Sequence, residues 1–198
     1  MEFEERPEVL AGERIYLSHI VRSDLGAFKR WFADLELTVY LGQPGMSYRP
    51  EHEESWYDEM VSSTRGTALR TFGIMVRDGN QLIGSVSLMD INAANGTAEL
   101  GIAIGERSMW GQGYGTEAVR LITEYGFTFL NLQTVYLWHA GFNARGRRAY
   151  EKAGFRDAGR IRNALVFDGQ RYDKMLMDCT RTDLGPSRLR AMIGQLDR

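Results

Sequence analysis

Thr97-Ala-Glu-Leu-Gly-Ile-Ala-Ile104 is followed, after a short gap, by Trp110-Gly111-Gln112-Gly113-Tyr114-Gly115-Thr116-Glu117-Ala118, and the order of these two stretches decides the fold. The first alternates as a strand does. In the second, glycines give way to Val119, Ile122, Gly126 and Phe129, which recur at helical spacing, so a helix is expected from Gly113 to about Leu130. Gln133 to Trp138 reads as a strand again. A strand, a helix and a strand in this order form a βαβ-type unit. Glycines curl the backbone so that several N–H groups converge, and the helix start adds unpaired donors and the positive end of its dipole. The result suits a phosphate or pyrophosphate. No Lys-Ser/Thr follows Gly115, so this is not a Walker A loop, and the spacing of a dinucleotide fingerprint is missing. Read alone, the glycines also suit a purely structural tight turn.

Upstream, the pattern is antiparallel. Residues 13–20 read as a first strand, and Ser23-Asp24 as the cap of a helix with Leu25, Phe28, Trp31 and Phe32 on one face. Pro44-Gly45 breaks the chain, and Pro50 starts a helix that carries Trp56 and Met60. Residues 71–76 and 82–88 form a hairpin about Asp78-Gly79-Asn80, and Asn92 to Gly96 turns the chain into the strand from Thr97. Downstream, Ala144 to Ala153 is a helix ended by Gly154, and Arg160–Phe167 with Arg171–Cys179 closes the sheet as a hairpin. The class is therefore α+β, with a mixed, mostly antiparallel sheet. Residues 1–181 are expected to form one domain. Residues 182–198 form a tail that reads as a short, expendable helix after Pro186.

Composition narrows the function. The chain has 198 residues, 43% hydrophobic and 25% charged, with a net charge of −2. This is the balance of a soluble globular domain and lacks the positive excess of a nonspecific nucleic-acid binder. The apolar runs are too short to span a membrane. Met1–Leu10 is acidic without an apolar core, unlike a secretory leader, so a cytoplasmic protein is expected. Cys179, the one cysteine, can form neither an intrachain disulfide nor a zinc site. Seven basic residues fall between Arg145 and Arg162, and five acids between Glu51 and Glu59. One basic and one acidic patch suit an anionic and a cationic ligand, and both also suit solvated helix faces.

A second constellation is Asn143-Ala-Arg-Gly-Arg-Arg-Ala-Tyr150-Glu-Lys-Ala-Gly154-Phe155. By itself Asn143 is a helix cap, and Tyr150 is either a packing residue or a hydroxyl aimed into a cleft. Together with the glycine turn, this segment resembles the GCN5-related N-acetyltransferase (GNAT) superfamily, closest to its RimJ/RimL-like branch, which includes spermidine N-acetyltransferases. The resemblance runs from about Gly12 to Cys179.

It implies a GNAT-like fold whose sheet is splayed at two parallel strands, 97–104 and 133–138, with helices on both faces and acetyl-CoA as cosubstrate in the gap. It implies main-chain bonds to the pantetheine arm at Ile102 and Ile104. The loop Trp110, Gly111, Gln112, Gly113, Tyr114, Gly115 and Thr116 would hold the pyrophosphate, Asn143 the pantetheine, and Arg148 and Lys152 the ribose phosphate. Relatives often carry Gln or Arg where Trp110 stands, and only the backbone donor is expected to matter there. Gly146, where relatives carry a small side chain, is expected to admit the cofactor more closely. No metal is implied.

The implied chemistry is direct attack of a neutral amine on the thioester. Tyr150 is the candidate donor to the departing thiolate, and backbone N–H groups near Ile104 are candidates for the oxyanion. Glu99 is the preferred base, since it shares a strand face with Gly101 and Ala103. An exposed edge carboxylate is the competing reading, and Asp90, Glu106 and His139 are alternatives. Cys179 reads as core rather than nucleophile. The acidic 51–59 run favours a small polycationic acceptor, such as a polyamine or an aminoglycoside. A protein N-terminus, including that of a ribosomal protein, is the second reading, and a non-catalytic CoA-binding module the third. Homodimers are common among such relatives.

Overall fold

The computed structural model describes residues 6–43, 46, 49–63, 69–185 and 189. Strands β1 (Leu10–Ala11) and β2 (Ile15–Ser18) open the chain, followed by helices α1 (Leu25–Phe32), α2 (Leu35–Tyr40) and α3 (Pro50–Ser63). Strands β3 (Arg70–Val76), β4 (Gln81–Asn92) and β5 (Thr97–Ile104) form the meander that the alternation predicts. Helix α4 (Tyr114–Phe129), strand β6 (Thr134–Ala140), helix α5 (Ala144–Lys152) and the hairpin β7 (Arg156–Phe167) and β8 (Gln170–Thr180) complete the order. Among the described residues eight strands lie in one sheet, ordered β1-β2-β3-β4-β5-β6-β8-β7, and β5–β6 is its parallel pair.

The main core lies between this sheet and α4, where Val119 and Ile122 belong to one buried cluster with Ile74, Val86, Leu88 and Val135. Each fully buried Leu or Ile side chain contributes about 1.5–3 kcal/mol. From Thr71 to Val76 every residue of β3 is buried, as expected of a central strand covered on both faces. The second cover is a smaller core of Ile20, Phe28, Trp31, Leu37 and Met60, built from α1, α2 and α3. Cys179 is fully buried in the main core, and burial pushes its thiol up to about 12, which leaves it inert. Among the described residues no helix is long and apolar enough to cross a membrane.

The structure corrects several local readings. The first strand is shorter than 13–20 and pairs back on β1, which alternation over two residues does not reveal. Asp24 does not cap α1 with its side chain. A 3-10 turn, Arg22–Asp24, comes first, and the Asp24 carboxylate turns back to accept the Val21 N–H at 2.9 Å and an ion pair from Arg6 at 2.5 Å. Helix α2 has no counterpart in the sequence reading. Strand β7 starts at Arg156, not Arg160. Pro44-Gly45 lies outside the described residues, as does the tail from 186 onward except Leu189. Residues Arg181–Asp183 form a turn ahead of that tail, and Leu189 is buried in the main core.

Candidate active site

The parallel ladder between β5 and β6 covers only three pairs, ending at Glu99 with Tyr136. Beyond it β5 stays paired to β4 as far as Ile104, and β6 to β8 as far as Ala140, so the two strands part. The gap is the floor of a cavity of about 620 Å³, within the usual range for small-molecule sites. Gly105 donates its N–H to Ile83 on the β4 side at 2.9 Å. By strand alternation the main-chain groups of Ile102 and Ile104 face the opposite way, into the gap.

At the mouth of the gap Gly111 and Gly113 adopt left-handed backbone, φ +75° and +89°. Gly113 caps α4 without any side-chain hydrogen bond. The first helical bond runs from the Glu117 N–H to the Gly113 carbonyl at 3.1 Å, which leaves the N–H groups of Tyr114, Gly115 and Thr116 without helical acceptors. Two residues that the sequence reading missed brace this loop. Arg14 donates to the Gln112 carbonyl at 2.6 Å and lies over the Tyr114 ring at 4.6 Å. Glu117 accepts the N–H groups of Glu13 and Arg14 at 2.6 and 3.0 Å. The signal for both was available only as unspent charges beside a strand and a helix start.

Of the sequence-predicted residues, Glu99, Ile102, Ile104, Trp110, Gly111, Gly113, Gly115 and Thr116 line the cavity from one side. Asn143, Arg148, Tyr150 and Lys152 line it from the other. Gln112 and Tyr114 do not line it: the Gln112 side chain donates to the Ser108 carbonyl at 2.7 Å, and Tyr114 packs under Arg14. Trp110 matters through its side chain, contrary to expectation. Its indole N–H donates to the Ile104 carbonyl at 2.7 Å, so that acceptor is occupied, and Ile102 keeps its main-chain groups free. Arg145 lies over the same indole at 3.6 Å and over Tyr40 at 4.7 Å, and burial pulls its pKa down.

Asn143 caps α5, its carboxamide oxygen accepting the Gly146 N–H at 2.9 Å. A Cβ on Gly146 would sit 2.7 Å from the Asn143 amide nitrogen, so the missing side chain makes room for the cap rather than for a ligand. The basic run divides. Arg145, Arg148 and Lys152 line the cavity, whereas Arg147 pairs with Glu151 and Asp157, and Arg156 and Arg160 pair with Asp183 and Asp173.

Glu99 is half-buried on the cavity wall. Burial raises its carboxyl above the usual Glu value, Lys174 opposes this, and Asp90 adds to it. Asp90 and Glu106 stay outside the cavity lining. Burial likewise pushes the Tyr150 hydroxyl up to about 12, with Arg145 opposing. His139 lines the cavity beside Tyr150. The acids of 51–59 do not line it: Glu53 is buried, Glu54 pairs with Lys29 at 2.6 Å and Asp58 with Arg22 at 2.5 Å. The chemistry assembled here is a phosphate-sized nest, a free strand edge, a carboxylate of raised pKa and a half-buried phenol, all in one cavity.

Residues 14–156 match the family model described as an acetyltransferase (GNAT) domain. An uncharacterized N-acetyltransferase of Bacillus licheniformis, p20, is 30% identical over 84% of this chain and 92% of its own length. A spermidine N(1)-acetyltransferase of Vibrio cholerae is 31% identical over 65% of this chain and 75% of its own length. Among solved structures, the spermidine N-acetyltransferase of Vibrio cholerae in complex with CoA and spermine superposes with a TM-score of 0.78 at 24% identity, over 87% of this chain and 99% of that one.

Proposed function

The chain belongs to the GNAT acetyltransferase family and is an N-acetyltransferase, and from that premise we propose that it moves the acetyl group of acetyl-CoA directly onto the primary amine of a small polycationic acceptor such as a polyamine. One observation carries the cosubstrate reading: the early end of the β5–β6 ladder opens a free strand edge and an unpaired helix start into the same cavity. Ile102 is the main-chain partner for the pantetheine amides. The N–H groups at the start of α4 take the pyrophosphate, with Arg148 and Lys152 as counter-charges. Asn143, its oxygen spent on the cap, would turn its amide nitrogen from the Tyr40 carbonyl, 3.5 Å away, to the arm. The spermidine-acetylating relatives support the polyamine class of acceptor, and Glu99 supplies a negative charge for it. The acidic 51–59 run gives no support, because it does not line the cavity.

In the reaction Glu99 takes a proton from the incoming ammonium, whose ordinary pKa of about 10 keeps it charged at neutral pH. The freed amine attacks the thioester carbon. Tyr150 then donates to the departing thiolate, and its raised pKa keeps it protonated until that moment. Holding both partners in one cavity supplies the rest of the acceleration.

The test is thiol release from acetyl-CoA with spermidine, an aminoglycoside and N-terminal peptides as acceptors. Turnover of spermidine without turnover of peptides is the expected result. Peptide turnover alone would replace the acceptor, and tight CoA binding without turnover on any of them would make the chain a binding module.

The loop can be tested separately. Gly113→Ala places a side chain on a backbone at φ +89°, at a cost of about 1–2 kcal/mol. The loop is expected to distort, raising the KM for acetyl-CoA about tenfold with kcat within a factor of two. An unchanged KM removes the nest from cofactor binding.

A further inference from the structure

His139 is 6% exposed, on the cavity wall at the end of β6. Its Nδ1 lies 2.9 Å from the Ala140 carbonyl oxygen. A carbonyl only accepts, so Nδ1 carries the hydrogen and Nε2 is a bare acceptor. That Nε2 is wholly buried and has no hydrogen-bond partner, the one side-chain atom in that position among the described residues. Buried polar atoms are nearly always paired, because an orphan keeps the cost of losing water with nothing to offset it. Such an exception calls for a physical reason.

The neighbour supplies one. The Tyr150 ring lies 5.9 Å from the imidazole, tilted by 45°, and its hydroxyl also makes no hydrogen bond within the described residues. A donor without an acceptor thus sits on the ring beside an acceptor without a donor. On the acetyl-transfer reading above, on which this rests, we propose that His139 positions the Tyr150 hydroxyl and takes up, through it, the proton that the attacking amine sheds, then returns it by the same route to the sulfur.

The step balances. As the amine nitrogen bonds to the thioester carbon, one N–H proton passes to the Tyr150 oxygen while the phenolic proton moves to His139 Nε2. When the C–S bond breaks, the sulfur takes the proton from Tyr150, and His139 returns its own to the Tyr150 oxygen. One proton has moved from nitrogen to sulfur and both side chains are as they began. Burial lowers the imidazole's pKa from its ordinary value and raises that of the phenol, so the resting forms are the ones this route requires. The other charges around His139 are Arg147 and Glu151 on α5 and Asp157 on β7. Arg147 disfavours the imidazolium and the two carboxylates favour it, and both carboxylates pair with Arg147.

His139→Gln keeps an acceptor atom that cannot hold a proton. With acetyl-CoA and spermidine it is expected to lower kcat about tenfold or more, leaving the KM for acetyl-CoA within twofold. In a Tyr150→Phe background the same substitution should cost less than twofold, because the two residues act as one unit. An equal loss in both backgrounds overturns the proposal. A second measurement needs neither turnover nor a His139 variant. The chain has three histidines, so nitrogen-15 NMR of the histidine rings can follow each one. His139 is expected in the Nδ1–H tautomer, with an Nε2 resonance that moves in Tyr150→Phe. The Nε2–H tautomer, or a resonance blind to Tyr150, overturns the pairing. If the wild-type protein releases no thiol with spermidine, the acceptor reading fails, and the NMR then decides the pairing by itself.

Discussion

Glu99→Gln is expected to lower kcat by about 10²-fold or more, with the KM for acetyl-CoA little changed, and to remove the acid limb of the pH–rate profile. The carboxylate must be ionised to take the ammonium proton. Burial holds its pKa above the ordinary Glu value of 4.5, so the wild-type rate should rise with pH as Glu99 ionises. Gln has nothing to ionise, and only the limb set by the amine itself remains. The same shift makes a statement about stability. A carboxyl whose pKa is higher folded than unfolded stabilises the fold most below the unfolded value and loses that contribution as pH rises through the folded one. At neutral pH the ionised Glu99 is therefore a burden on the fold, and Glu99→Gln should melt at or above the wild-type temperature. Loss of rate together with kept or raised stability separates a base from a packing residue. A variant with the wild-type rate and pH profile would remove Glu99 from the mechanism.

What the sequence could disclose about this site follows from the range of the interactions involved. Strand β5 and helix α4 are written in local alternation and period, and the change from one to the other falls within a few residues of the place predicted. Asn143 as a cap is equally local, since its partner Gly146 is three residues away. Helix α2 has only six residues, too short for a helical period to show, and its buried members Leu37 and Thr38 are not both apolar. Strand β7 begins with exposed Arg156, Asp157, Ala158 and Gly159, where neither face carries an apolar signal. The role of Trp110 depends on the Ile104 carbonyl, and that of Arg145 on Tyr40, more than a hundred residues away in sequence. The acidic run from Glu51 illustrates the converse error. Its charges are conspicuous in the sequence, and the fold spends Glu54 and Asp58 on basic residues of the α1 region, away from the cavity.

Gly105→Ala is expected to cost about 3 kcal/mol, read as a fall in melting temperature of roughly 6–12 °C for a chain of this size. Gly105 directly follows β5, and its N–H is bonded to the Ile83 carbonyl, so the backbone is held in place. A Cβ built there overlaps three atoms of the Trp31 indole. Trp31 has little room to yield. It is 6% exposed and packs on Phe28 at 5.3 Å, and Phe28 in turn packs on Trp56 at 5.1 Å, so a shift of the indole must pass from α1 into α3. Trp110 packs against the same cluster, and its indole bond to Ile104 sets the end of the cofactor edge. The substitution should therefore also raise the KM for acetyl-CoA. Gly159→Ala is the control: nothing lies within 4 Å of its Cβ, and its stability should stay within about 0.5 kcal/mol of wild type. A Gly105→Ala protein that melts within a degree or two of wild type would show that the second core yields to an added methyl, and that the packing of α1 does not hold Trp110 over the cleft.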